Sequence, residues 1–247
     1  MKNTLKEANK IVSDALAAEK KRELQRDKQK KKICLIEPQA KELLNIFGIK
    51  MPEMKLTATK EEAQKAAKSM GFPVALKVVS HDIVHKSDTG GVETGIKDMK
   101  SLKVSYGNII SNVKSNLPKA VIKGILVEKM APVSTELIIG ALKDPQFGPV
   151  VMFGLGGIFV EAISDVSFRL APINEKEALE MIKETKAFSL LNGFRNQQTL
   201  DIYTAAKSIL SVSKIITKIE HVEEIDLNPV LVYPNGIIVV DAKIIIA

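Results

Sequence analysis

The stretch from Glu224 to Lys243 constrains the fold most. Apolar runs, Val230-Leu231-Val232 and Ile237-Ile238-Val239-Val240, flank Asn235-Gly236. An Asn-Gly pair between such runs is the strongest short hairpin signal. With Asn235-Gly236 as a two-residue turn, Pro234 faces Ile237, Val230 faces Asp241 and Asn228 faces Lys243. Side chains on a strand alternate between faces, so Asp226, Asn228 and Asp241 share one. Asn228 and Asp241 are then diagonal neighbours, roughly 7–8 Å apart at the backbone. Oxygen ligands on a rigid hairpin suit Mg²⁺, which takes one or two protein ligands and completes its octahedron with water and phosphate. The same residues also fit an ordinary solvated hairpin face. A three-residue turn would send Asp241 to the other side.

The chain has 247 residues, enough for one large domain or two smaller ones. No apolar run approaches the ~18 residues that a membrane span needs. The charged N-terminus has no apolar core of a signal peptide. Both features point to a cytoplasmic protein without a membrane partner. Cys34 is the only cysteine, which excludes an internal disulfide and a cysteine-based zinc site. The net charge of +7 is local: Lys20 to Lys32 holds eight Lys and Arg against Glu23 and Asp27, a balance of +6. This run has no interleaved aromatics to stack on bases. It reads as the solvated face of an N-terminal helix rather than as a nucleic-acid contact. The apolar side of that helix (Leu5, Ala8, Val12, Ala15, Leu16) is narrow, and suits packing against another element or a partner subunit.

Glu37-Pro38 opens a helix that runs to Phe47 and stops at Gly48. Lys55 to Thr59 reads as a short strand, Lys60 to Met70 as a helix, and Val74 to Val79 as a buried strand. Lys77 sits in the middle of that strand. A buried ammonium is costly unless paired, so Lys77 meets a carboxylate or is aimed at a phosphate. The polar loop Ser80 to Val92 follows, with His81, His85 and the pair Gly90-Gly91. Glycine backbone approaches phosphate closely, and a loop histidine is available for nucleophilic or acid–base work. Leu102 to Val113 reads as a helix. Val121 to Met130, Thr135 to Ala141 and Val150 to Phe153 read as consecutive strands of one antiparallel sheet, with Glu128 and Glu136 at one rim. Phe153 to Ile158 forms a second glycine-rich turn, and the strand-like Phe159 to Ser164 carries Glu161. Asp165 and Arg169 are either a local ion pair or site groups. Asn174 and Glu177 have capping-box spacing, Phe188 to Arg195 reads as a connector, and Leu200 to Ile219 as an amphipathic helix on the final sheet. His221, just past that helix, reads as structural.

Several motifs carry a family resemblance. They are Val74-Ala75-Leu76-Lys77, His85 to Gly91, Leu126 to Met130, Glu136 to Gly140, Asp144 to Gly157, Asp165 to Pro172, and Asp226-Leu227-Asn228-Pro229. Together they resemble the ATP-grasp fold, and more narrowly the nucleotide-binding β subunit of NDP-forming acyl-CoA synthetases, the acetate–CoA ligases that form ADP. The resemblance runs from about Glu37 to the end. It implies an α/β protein of two subdomains that clasp a nucleotide. The expected organisation is a basic helical extension over 1–36, an N-terminal subdomain with the histidine loop over 37–125, and a C-terminal subdomain with the Mg-binding hairpin over 126–247.

By the same resemblance, Lys77 holds ATP phosphates, with Ser87 in the neighbouring loop motif. Glu128, Lys129 and Met130 form the hinge against adenine, and Glu136 holds the ribose. Asn228 and Asp241 bind Mg²⁺, Asp226 steadies a phosphohistidine, and His85 carries phosphate between two sites. His81 stands where such loops usually have proline, and Arg195-Asn196 replaces an Arg-Gly pair. The implied reaction is acyl-CoA + ADP + phosphate ⇌ acid + ATP + CoA, with a CoA-binding α subunit as partner in an α2β2 assembly. A free-standing ATP-grasp carboxylate ligase would instead turn over as an isolated chain. A non-enzymatic nucleotide- or nucleic-acid-binding module using Lys20 to Lys32 would bind with steep salt dependence.

Overall fold

The computed structural model describes residues 2–26, 32–83, 85–157, 165–194 and 198–247. The chain divides into two compact units, one of residues 1–51 with 133–247 and one of residues 52–132.

The first helix, Lys2–Arg26 (α1), buries Ala8, Val12 and Ala15, a stripe only one small side chain wide. Small residues let α1 lie close to the second helix, Glu37–Ile46 (α2), and α1 joins the core of the larger unit. The Asn9 side chain accepts the Glu220 N–H at 3.1 Å. The narrow helix therefore packs on its own chain. The side chains of 22–31, most of the basic run, lie outside the described residues. Between α1 and α2, Ile33–Cys34 (β1) pairs with the last strand.

The smaller unit is a four-stranded antiparallel sheet under two helices. Its strands are Met54–Thr57 (β2), Val74–Val79 (β3), Val92–Ile96 (β4) and Gly124–Lys129 (β5), in the order β2-β5-β3-β4. Its helices are Lys60–Met70 (α3) and Met99–Asn116 (α4). Thr59 caps α3 by accepting the Glu62 N–H, and Gly71 ends it with φ 74°. Asp98 and Ser101 form a capping box on α4. The core is small and aliphatic: Ala63, Ala67, Val74, Leu76, Val78, Leu102, Ile109, Ile125 and Val127.

The larger unit carries Thr135–Asp144 (β6), Gly148–Leu155 (β7), Val166–Leu170 (β8), the helices Glu175–Lys183 (α5), Ala187–Leu191 (α6) and Ile202–Lys218 (α7), then Val222–Tyr233 (β9), Gly236–Val239 (β10) and Ala242–Ile246 (β11). Among the described residues its sheet runs β1-β11-β9-β6-β7-β8, with β10 also on β9. One sheet face, with Leu137, Ile139, Ala141, Val151 and Phe153, packs against α7 through Ala205, Ile209, Val212 and Ile216. The opposite face of β6 and β9 carries Glu136 and Asp226 together with the apolar Ile138 and Leu231. Among the described residues no helix is long and apolar enough to cross a membrane.

Three expectations are displaced. The sequence predicts Val121 to Met130 in one sheet with the next two strands. Instead β5 is enclosed by β2 and β3, and the irregular link through Pro132 carries the chain to the other sheet. The compact units therefore divide near 51/52 and 132/133 rather than at 36/37 and 125/126. The reason is burial: Ala40, Leu43 and Leu44 place α2 in the larger core, while β5 completes the smaller sheet. The expected connector from Phe188 contains the short helix α6, held by the Asp165 carboxylate, which accepts the N–H groups of Lys186 and Ala187 at 3.0 and 3.2 Å.

Candidate active site

In the smaller unit, Lys77 lies on β3, whose every residue is buried. Lys77 is opposite Leu126 on β5. Glu128 is two residues further along, on the same face by alternation. Its Oε1 lies 3.0 Å from Lys77 Nζ, with side-chain exposures of 2% and 6%. Lys77 meets the carboxylate of Glu128. Glu128 thus turns its side chain into the sheet. Lys129 Nζ donates to the carbonyls of Gly71 and Phe72 at 2.8 and 3.2 Å, bracing the link from α3 to β3. Met130 Sδ accepts the Gly95 N–H at 3.0 Å.

The histidine loop is anchored at its far end. Gly91 N–H donates to Lys86 O at 2.8 Å, Gly90 N–H to Ser87 O at 3.0 Å, and Val78 N–H to Gly91 O at 2.7 Å. Asn116, at the end of α4, donates to Thr89 O at 3.2 Å. Gly91 is required here, because a Cβ would collide with Val78. His85 and Ser87 are exposed on this turn, and His81 is half-buried. Val84, between the histidines, lies outside the described residues.

In the larger unit, Tyr233 pairs with Gly236, so the hairpin turns on Pro234-Asn235 rather than on Asn235-Gly236. Proline has its φ preset for the first central position of a turn, and asparagine suits the second. Val230 consequently faces Val239, and Lys243 faces Asp226. Relative to the expected register, the second arm has moved by two residues. Alternation is broken here: β9 slips register at Asn228-Pro229, so that Leu227 and Val230 both face the core. Asp241 comes directly opposite Asn228, whose N–H donates to Asp241 O at 3.3 Å.

The glycine-rich turn meets this hairpin. Gly157 N–H donates to Asn228 Oδ1 at 3.1 Å, and Gly156 N–H donates to Glu136 O at 2.8 Å. Gly157 has φ 64°, and a Cβ on it would collide with the Glu136 carboxylate. Glu136, Gly157 and Asn228 are thus one cluster, with Asp241 across the hairpin. The bond from this turn to Asn228 joins residues 71 positions apart, and the sequence holds no local signal for it. We expect Gly157→Ala to destabilise the unit by about 1–2 kcal/mol through its left-handed backbone and to displace Glu136, read by thermal melting and by nucleotide affinity.

Burial raises the Asp226 carboxyl above its usual range, and Glu224 and Asp241 add to the rise, while Lys243 opposes it. Lys243 also pairs with Glu224 at 3.1 Å. Arg169 pairs with Glu184, so Asp165 and Arg169 have separate structural partners rather than each other. His221, at φ 66°, holds Ala247 O through Nδ1 at 2.7 Å, a structural contact. Glu161 and the pair Arg195-Asn196 lie outside the described residues.

Among the described residues no group of three or more His, Cys, Asp or Glu could hold a metal ion. A carboxylate and an amide oxygen on paired strands nevertheless fit Mg²⁺, which needs few protein ligands when phosphate and water supply the others. The Asp241 Oδ1 orientation is fixed by the Ala242 N–H at 3.0 Å.

A sheet presenting such oxygen donors beside glycine backbone is the arrangement of nucleotide-handling folds. The family model described as an ATP-grasp domain matches residues 26–246. Subunit β of acetate–CoA ligase [ADP-forming] I from Pyrococcus furiosus is 44% identical over 212 residues, 86% of this chain and 91% of that protein. Subunit β of ligase II from the same organism is 42% identical over 243 residues, 97% of this chain and 98% of the other. A solved structure of Ca. Korarchaeum cryptofilum acetyl-coenzyme A synthetase 1 aligns with TM-score 0.77 and 42% identity, over 95% of this chain and 99% of that one. It contains coenzyme A and Mg-AMPPCP, with its phosphohistidine segment pointing towards the nucleotide binding site. The chain belongs to the ATP-grasp family and, within it, to the β subunits of ADP-forming acetate–CoA ligases.

Proposed function

We propose that the chain handles the nucleotide in the reaction acyl-CoA + ADP + phosphate ⇌ acid + ATP + CoA, as a cytoplasmic enzyme assembled with a CoA-binding α subunit as α2β2. The observation that carries this reading is the cluster of Glu136, Gly157 and Asn228 with Asp241 on one face of the larger sheet. The naming of its relatives as β subunits supports the separate partner.

In this reading Asn228 and Asp241 hold Mg²⁺, which when bound offsets charge on the phosphoryl group in transit. Glu136 accepts hydrogen bonds from the ribose hydroxyls. The 128–130 segment lines the base through its main chain and the Met130 side chain, since Glu128 and Lys129 turn their charged ends into the protein. Lys77 shares its ammonium between Glu128 and a phosphate oxygen. Ser87 faces phosphate from its turn, whose glycine N–H groups hold the turn together through Ser87 O and Lys86 O. His85 carries the phosphoryl group on an imidazole nitrogen. A β-phosphate oxygen of ADP attacks phosphorus, the O–P bond forms as the N–P bond breaks, and neutral imidazole is regained. Asp226 steadies the phosphorylated ring through its other nitrogen.

Incubating the chain with Mg²⁺ and γ-labelled ATP, with and without the α subunit, tests this. Acid-labile, base-stable label on His85 is expected. Turnover by the isolated chain would establish the free-standing ligase instead. Asp241→Ala is expected to abolish Mg-dependent nucleotide binding by calorimetry, and unchanged binding would remove the hairpin from the site.

A further inference from the structure

Val240 and Asp241 interrupt the second arm of the hairpin between β10 and β11. In the register, Val240 stands opposite Pro229: Val239 pairs with Val230, and Ala242 with Leu227. Val240 N–H donates to Pro229 O at 3.0 Å. Residues paired in this way in an antiparallel ladder exchange both bonds. Proline has no N–H to return, so the ladder cannot supply the second bond, to the Val240 carbonyl.

Lys41 supplies it from α2. Its Nζ lies 2.7 Å from Val240 O, a contact between residues 199 positions apart. Lys41 is fully buried, and Glu37, one helical turn earlier and 3% exposed, meets its charge at 2.9 Å. The Val240 carbonyl and the Asp241 N–H belong to one rigid peptide plane. Fixing that carbonyl fixes the direction in which the chain enters Asp241. From the other side, Asp241 O accepts the Asn228 N–H and Asp241 Oδ1 accepts the Ala242 N–H.

We propose that Lys41, neutralised by Glu37, is a positioning residue that replaces the ladder bond lost at Pro229 and so aims the Asp241 carboxylate at Mg²⁺. The inference rests on the assignment of Asp241 as a metal ligand. It gives the buried pair a use beyond stability. Buried ion pairs are weak contributors to stability, and apolar replacements of both partners are often neutral. A purely structural pair would therefore be replaceable.

The test compares Lys41→Met, Glu37→Gln/Lys41→Met and Asp241→Asn in the full chain. Mn²⁺ binding in the presence of ADP is read by electron paramagnetic resonance, with thermal melting alongside. Lys41→Met leaves the Glu37 carboxylate buried without its ammonium and is expected to melt earlier. The double variant removes both charges and is expected to regain the part of that stability lost to the unpaired carboxylate. Both are expected to bind Mn²⁺ about tenfold or more weaker, the usual range for a group that orients a ligand, with ADP affinity at saturating Mn²⁺ unchanged. A double variant that binds Mn²⁺ as the parent does, while Asp241→Asn does not, overturns the positioning role alone. Parent-like binding by Asp241→Asn overturns the ligand assignment and this inference with it.

Discussion

Lys77→Met is expected to lower stability by about 3–5 kcal/mol, the usual consequence of removing one partner from a buried ion pair. The Glu128 carboxylate, 2% exposed, would stay in the sheet interior without the ammonium now 3.0 Å away. At roughly 2–4 °C per kcal/mol for a chain of this size, the melting temperature falls on the order of 10 °C. That loss alone does not distinguish a nucleotide ligand from a structural lysine. Lys77→Met/Glu128→Leu does. With both charges gone and the space filled by apolar atoms, most of the stability is expected to return. Nucleotide affinity is not, because a charge-assisted bond to phosphate has no substitute in methionine. The expected result is a chain that melts near the parent and binds ADP at least about tenfold weaker, a difference of 1.4 kcal/mol. Parent-like ADP binding by the stable double variant would reduce Lys77 to a structural residue.

The pair also shows where sequence reasoning stopped. The run Val74 to Val79 announced a buried strand, and a lysine inside it announced a partner. Whether that partner was a carboxylate or a phosphate depended on which strand lay alongside. Glu128 on β5 is legible as a strand end, but the sheet to which β5 belongs is not, because a five-residue link through Pro132 has the length of a hairpin connection. The other hairpin was read more successfully for a physical reason. Its turn is at Pro234-Asn235, and that register brings Asp241 directly opposite Asn228, so the two still meet across the arms. Gly157 on Asn228 and Lys41 on Val240 were illegible. Each joins residues far apart in the chain, and each replaces or supplements a backbone bond, which leaves no periodicity behind. Lys41 in particular looks like any polar residue of an amphipathic helix until Pro229 is seen opposite Val240.

The second large effect is expected at His85. It is exposed at the start of a turn whose other end is tied to β3 and α4 by the bonds of Gly91 and Thr89. That arrangement suits a carrier: the imidazole stands in solvent reach, while the anchoring bonds are made by its neighbours. His85→Ala should therefore leave the fold, the melting temperature and Mg-dependent ADP affinity near the parent. It should lower phosphoryl transfer by roughly a thousandfold or more, as loss of a covalent carrier does. The separation of binding from transfer is the informative part, since collapse of both would point to damage to the unit. His81 gives the control. It is half-buried, and beside it Ser80 Oγ accepts the Asp82 N–H while Asp82 Oδ2 accepts the N–H of Val121. His81→Ala is expected to retain phosphorylation at His85. If His85→Ala instead transfers phosphate at the parent rate and the label maps to His81, the carrier is the half-buried ring. If neither variant loses activity, no histidine of this loop carries the phosphoryl group.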